Sequence, residues 1–129
     1  MVIYEGSVAN EDIAAAHVGY WSAMGANISA DGSPQPIPTA HWLRDLAPGA
    51  AATIAIGTCA TWGGIPAAAG NVTGSMGVMD YLGKNYLSAL GLPVINIPGC
   101  SPVGDNFTET VAAVLMFLAG VGQIGRAHV

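Results

Sequence analysis

Ile54-Ala55-Ile56-Gly57-Thr58-Cys59-Ala60-Thr61-Trp62-Gly63-Gly64-Ile65-Pro66 is the stretch whose reading decides the fold. Thr53 to Ile56 is a short apolar run that reads as a buried strand. It passes directly into a turn whose glycines free the backbone to bend. Open α/β sheets present their chemistry at the carboxyl ends of strands, so Cys59 stands where a ligand or a nucleophile would. A second apolar run, Pro93 to Ile97, ends in Pro98-Gly99-Cys100-Ser101-Pro102. The only other cysteine therefore also follows a strand immediately, and in a parallel sheet both strand ends lie on one edge. Taken singly, each cysteine is most simply a small buried hydrophobe. The paired placement is what points to a shared pocket.

Outward from these two runs, the chain alternates strands and helices. Val2 to Tyr4 reads as a buried strand stopped by Glu5-Gly6-Ser7. Asn10-Glu11-Asp12 predicts the start of a helix over Ile13 to Met24, with its acids well placed against the helix dipole. His17 and Trp21 would share a face of it and serve packing. Asn27 to Pro38, rich in Pro, Gly and Ser, reads as a loop. Thr39 predicts a cap for a helix through Leu46, ended by Pro48-Gly49, and His41 is a surface or interface residue on it. Pro66 to Ser75 reads as irregular.

Met79, Leu82, Tyr86 and Leu90 fall at helical spacing, with Gly91 and Pro93 to end that helix. The methionines are core filler, since no set of soft ligands accompanies them. Asn106 and Glu109 have capping-box spacing before Thr110 to Ala119. That helix is apolar nearly all round and is expected to be buried on both sides, with Gly120 as its cap. Alternation without an internal repeat predicts a parallel α/β sheet with flanking helices.

Composition excludes several classes. The 129 residues suit one domain with a real core, 52% of them being hydrophobic. Only 9% are charged, which predicts that part of the surface faces another chain. Eight acidic residues against three basic ones give a net charge of -5 and no cluster to neutralise phosphates, so nucleic acid is not an expected partner. The longest apolar run, Val111 to Ala119, is too short to span a bilayer. Met1 to Glu5 has neither the basic head nor the apolar stretch of a signal peptide, and the compartment stays open. Two cysteines do not make a disulfide scaffold.

Gly57-Thr58-Cys59-Ala60-Thr61, then Gly63-Gly64-Ile65-Pro66 and Asn71, resembles the signature of the small, electron-transferring subunit of nickel-iron hydrogenases. Ile95-Asn96-Ile97-Pro98-Gly99-Cys100 resembles that family's later signature. The resemblance runs from Val2 to Gly120 and is strongest at Ile54 to Pro66 and Val94 to Pro102. It implies a flavodoxin-like sheet, a large partner subunit holding a nickel-iron centre, and a downstream electron acceptor. It also implies a proximal 4Fe-4S cluster with Cys59 and Cys100 as two of its metal ligands.

The same resemblance places Gly57, Thr58, Trp62 and Gly99 around the cluster and aligns Glu5 with a glutamate close to it. Read from the residues alone, Glu5 is equally a carboxylate at a solvated strand end, and Trp62 equally a core tryptophan. In the family a cysteine pair near the N-terminus supplies the other ligands, and this sequence has none. The expectation is therefore a domain over residues 1–122 that lacks the family's first strand and its cysteine-bearing N-terminus. Ile124 to Val129 resembles a translated sequencing adapter, so residues 123–129 are expected to be a non-native tail. Ser101 to Asp105 departs from the proline-rich run that many members carry, and leaves open whether all four ligands are cysteines.

The nearest alternative is the homologous cluster-carrying subunit of NADH-quinone oxidoreductase. That relative usually has adjacent paired cysteines near its beginning, while Thr58, Thr61 and Ile65-Pro66 favour hydrogenase. A flavin- or phosphate-binding module would use Gly57 to Gly64 as an anion nest. It lacks a nearby Lys or Arg and any Rossmann or P-loop pattern. A thiol switch joining Cys59 to Cys100 is the third alternative.

Overall fold

A computed structural model describes residues 1–14 and 20–121. In chain order these are strands β1 (Val2–Glu5), β2 (Val8–Ala9), β3 (Ala23–Ile28) and β4 (Pro34–Pro38), helix α1 (Thr39–Leu46), strand β5 (Thr53–Ile56) and helix α2 (Thr58–Trp62). A 3₁₀ turn (Ile65–Ala67), strand β6 (Ser75–Met76), helix α3 (Val78–Leu82), strand β7 (Ile95–Ile97) and helix α4 (Gly104–Leu118) follow. The tail expected at 123–129 lies outside the described residues, as does His17.

The centre is a parallel sheet in the order β1-β5-β7, with Glu5 opposite Ile56 and Ile56 opposite Ile97. Period-2 alternation along β5 divides the core. Ala55 joins Val8, Ala40, Leu43, Ala47, Ala60, Val78 and Val94 on the face covered by α1, α2 and α3. Ile54 joins Ala52, Leu92, Ile95, Ile97 and Val114 on the face covered by α4. This is the α/β layering with flanking helices that the strand and helix alternation implies. Among the described residues no helix is long and apolar enough to cross a membrane.

Several expectations are corrected. β1 is not fully buried: Ile3 is 48% exposed, because an edge strand is covered less completely than the central one. The helix expected over Ile13 to Met24 does not reach its end, since 11–14 form turns and β3 begins at Ala23. Ser22 explains the change: its N–H donates to the Glu11 carboxylate at 2.9 Å, its hydroxyl to Thr39 Oγ1 at 2.8 Å, and its carbonyl accepts from Thr39 N–H. The chain is thus pinned beside the start of α1.

Asn27 to Pro38 is not a loop but largely an antiparallel hairpin, with Ile28 opposite Pro34 and Ala26 opposite Pro36. The turn is closed by Ser29 N–H to Ser33 O and by Ser33 N–H to Asp31 Oδ1, both at 2.9 Å. Pro34, Pro36 and Pro38 occupy alternate positions, so the N–H groups they lack are those facing away from β3. Thr39 opens α1 but gives it no side-chain cap.

The helix expected through Leu90 stops at Leu82, because Gly83 takes φ +92 and closes it. Met76 and Met79 do pack against the core, whereas Met24 and Met116 are exposed. Helix α4 begins two residues before Asn106, whose side chain makes no cap, and only its Phe107, Val111 and Val114 stripe meets the sheet. Leu115 and Met116 are more than half exposed, so α4 is covered on one side rather than both.

Beyond α3, the Tyr86 hydroxyl donates to Ala47 O and accepts from buried Thr53 Oγ1. Tyr86→Phe removes both bonds and leaves the Thr53 hydroxyl without that partner, a cost of about 1–3 kcal/mol. The expected result is a lower urea midpoint with an unchanged m-value. Burial, with a smaller push from Tyr81, raises the Tyr4 phenol above its usual pKa, so that ring stays neutral within the core.

Candidate functional site

Three strand ends meet on one edge of the sheet. β1 finishes at exposed Glu5, β5 at Ile56 before Gly57, and β7 at Ile97 before Pro98-Gly99-Cys100. Gly57 takes φ +93 and ψ 159, a conformation open to glycine, and turns the chain straight into α2. Cys59 therefore lies in the first turn of a short helix rather than in a loop.

Hydrogen bonds lock the two cysteine segments together. Gly57 N–H donates to Ile97 O at 2.7 Å and Thr58 N–H to Gly99 O at 2.9 Å. Gly99 N–H returns a bond to Thr58 Oγ1 at 3.2 Å. The residues immediately before Cys59 and Cys100 are thus reciprocally bonded. A Cβ on Gly57 would stand 3.7 Å from Gly99 O, in ordinary contact.

Below Cys59 the backbone leaves a cradle. Gly64 takes φ +62, and a Cβ built on it would lie 2.4 Å from Cys59 Sγ and 3.0 Å from Cys59 Cα. The thiol rests in the space this glycine leaves open. Thr61, buried in α2, donates its hydroxyl to Gly57 O at 2.9 Å. Gly77 lets the next segment approach, since a Cβ there would stand 2.6 Å from Thr61 O. The Thr61 bond thus closes on the residue that caps α2, and the Gly77 segment packs directly against the carbonyl of Thr61.

Cys59 is half-buried, Cys100 exposed, and both are free thiols. Trp62 is 70% exposed, so the described residues do not bury it, and Ile65 is 89% exposed. His41 lines a separate groove of about 390 Å³ with Glu11, Asp12 and Tyr20, which shares no residue with the cysteine edge. Among the described residues no group of three or more His, Cys, Asp or Glu is arranged to hold a metal ion.

Chemically the edge offers two thiols on segments bonded to one another, with a cradle free of side chain beneath one of them. That donor set fits part of an iron-sulfur site, whose iron is held by Cys thiolates. Gly64 and Thr61 stand in the quoted signature, but only the structure gives them a place beside the Cys59 thiol and the α2 start.

Comparison with known proteins gives a consistent picture. Residues 1–114 match the family model described as NADH ubiquinone oxidoreductase, 20 Kd subunit. The chain is 40% identical over 101 residues to the periplasmic [NiFeSe] hydrogenase small subunit of Desulfomicrobium baculatum, covering 78% of this chain and 31% of that protein. It is 44% identical over 80 residues to the hydrogenase-2 small chain of Escherichia coli K12, covering 62% and 20%. The solved actinobacterial-type NiFe-hydrogenase from Ralstonia eutropha H16 superposes with a TM-score of 0.82 at 48% identity, over 95% of this chain and 34% of that one. The chain spans about a third or less of the length of these relatives. It belongs to the NADH ubiquinone oxidoreductase 20 Kd subunit family, and within that family it stands with the small subunits of NiFe and NiFeSe hydrogenases.

Proposed function

We propose that this chain is part of the electron-transfer subunit of a hydrogen-oxidising nickel-iron hydrogenase, with Cys59 and Cys100 as two ligands of a proximal 4Fe-4S cluster. The observation that carries this reading is the placement of both thiols after adjacent parallel strands, on segments that hydrogen-bond to each other. When bound, such a cluster accepts and donates single electrons. The chain's own residues supply position and surroundings. Gly57 and Gly99 bring the two backbones together, Gly64 leaves room for the Cys59 thiol, and Glu5 adds a carboxylate at the same edge.

Exposed Trp62 and Ile65, the latter three residues beyond α2's end, suit a surface covered by a large partner subunit that holds the nickel-iron centre. A downstream acceptor takes the electrons onward. The anion-nest alternative is disfavoured by the same geometry, because the Gly57 and Thr58 amides are already committed to Ile97 and Gly99 carbonyls.

The test is iron and sulfide content, with the visible and paramagnetic signature of the cluster, in the intact protein purified with its partner. A cluster reduced by hydrogen is expected. Bound flavin without iron, or a reversible Cys59–Cys100 disulfide as the working redox group, would reject the reading.

The 129-residue chain alone brings only two cysteines to a group that takes four protein ligands. Reconstitution with iron and sulfide is expected to give a substoichiometric, heterogeneous product. A stable stoichiometric cubane on the isolated monomer contradicts this.

A further inference from the structure

Thr58 does more than precede a cysteine. Its N–H donates to Gly99 O at 2.9 Å while its hydroxyl oxygen accepts from Gly99 N–H at 3.2 Å. One residue thereby satisfies both backbone groups of the residue before Cys100. The backbone half of this clip belongs to any residue at position 58, but the second half needs a side-chain acceptor one atom beyond Cβ. Serine and threonine supply it, and valine, of nearly the same shape, does not.

We propose that Thr58 is a positioning residue: its hydroxyl fixes the Cys100 segment against the Cys59 helix and so sets the relation of the two thiols. Cys59 is held within α2, where its carbonyl accepts from Gly63 N–H at 2.8 Å, so the Cys100 segment is the one whose orientation is left to set. Cys100 is exposed, and Gly99, at φ +146, is a backbone position with wide freedom of its own. Without the Thr58 acceptor, Gly99 N–H loses its partner and one of the two bonds to Thr58 is gone. The bonds that remain, Thr58 N–H to Gly99 O and Gly57 N–H to Ile97 O, hold the two segments near each other but constrain the orientation beyond Gly99 less.

The role as it bears on a cluster rests on the function proposed above, so the experiment separates the two. Thr58→Val, Thr58→Ala and Thr58→Ser are prepared in the intact protein with its partner subunit. The first readout needs no cluster. In metal-depleted protein a short bis-maleimide is used to bridge Cys59 to Cys100, with the bridge identified by peptide mapping. Bridging is expected to slow by about fivefold in the Val and Ala variants, the factor that one net hydrogen bond carries, and to match the parent in the Ser variant.

The second readout is the line shape and reduction potential of the cluster in loaded protein. Both are expected to move in Val and Ala and to be restored by Ser. Unchanged bridging in folded Val and Ala variants would overturn the proposal. So would a Ser variant as impaired as Val, or a failure of both Val and Ala to fold while Ser folds, which would make the clip a folding element only. A parent protein without iron would reject the function above, and the bridging result would still decide the clip.

Discussion

Replacing Cys59 or Cys100 by serine in the intact, partnered protein is expected to remove the cluster signal and most of its iron and to stop hydrogen-driven dye reduction. Serine keeps the shape of the side chain, and neither cysteine is fully buried, so packing changes little, but the hydroxyl does not ionise as a thiol does and is a poor ligand for iron. Even a change beside a ligand costs about 10–100-fold in metal affinity or activity, and loss of a ligand exceeds that. The two variants should behave alike, because the proposed site uses both thiols in the same way. Iron analysis and paramagnetic resonance of each variant, beside its thermal midpoint, check this. Retention of a full cluster in either folded variant would remove that cysteine from the ligand set.

Gly64→Ala is expected to have the second largest effect, and by a different route. Gly64 sits at φ +62 and ψ -154, in a region that is essentially reserved for glycine and costs another residue about 1–3 kcal/mol. The added Cβ would also stand 2.4 Å from Cys59 Sγ, which forces the thiol out of its place. Overpacking of this kind costs about 1–3 kcal/mol more. Gly70→Ala provides the comparison, since Gly70 has φ +86 but nothing within 4 Å of an added Cβ. Both variants should lose stability to backbone strain. Only Gly64→Ala should also lose iron and show altered Cys59 alkylation. Equal iron content in the two would mean that the Cys59 thiol does not depend on the Gly64 cradle.

The position of the site illustrates how different kinds of information enter. Thr53-Ile54-Ala55-Ile56 and its matching β5 bounds agree because a β-branched apolar run between turn residues has few other ways to bury itself. Loop composition misleads at Pro34 to Pro38, where prolines on alternate positions are compatible with a two-stranded ribbon. Helical spacing misleads beyond Leu82, since the periodic residues Tyr86 and Leu90 persist after Gly83 has ended the helix. Hydrophobicity misleads along α4, whose apolar Leu115 and Met116 face outward. Apolar residues say what prefers cover, not whether the described chain supplies it.

What the sequence determined by itself was local and chemical: an α/β alternation, two thiols each placed directly after a strand, glycines where the chain must turn, and a small share of charged residues. These follow from residue type and spacing, which act over a few residues. Only the tertiary structure decided that the segment before Cys100 bonds back to Thr58, that Gly64 lies beneath the Cys59 thiol, and that the Gly77 segment packs against Thr61 of α2. Those relations join positions 5 to 41 residues apart, and they are set by strand register and by the room left where a side chain is absent. A one-dimensional pattern carries neither quantity.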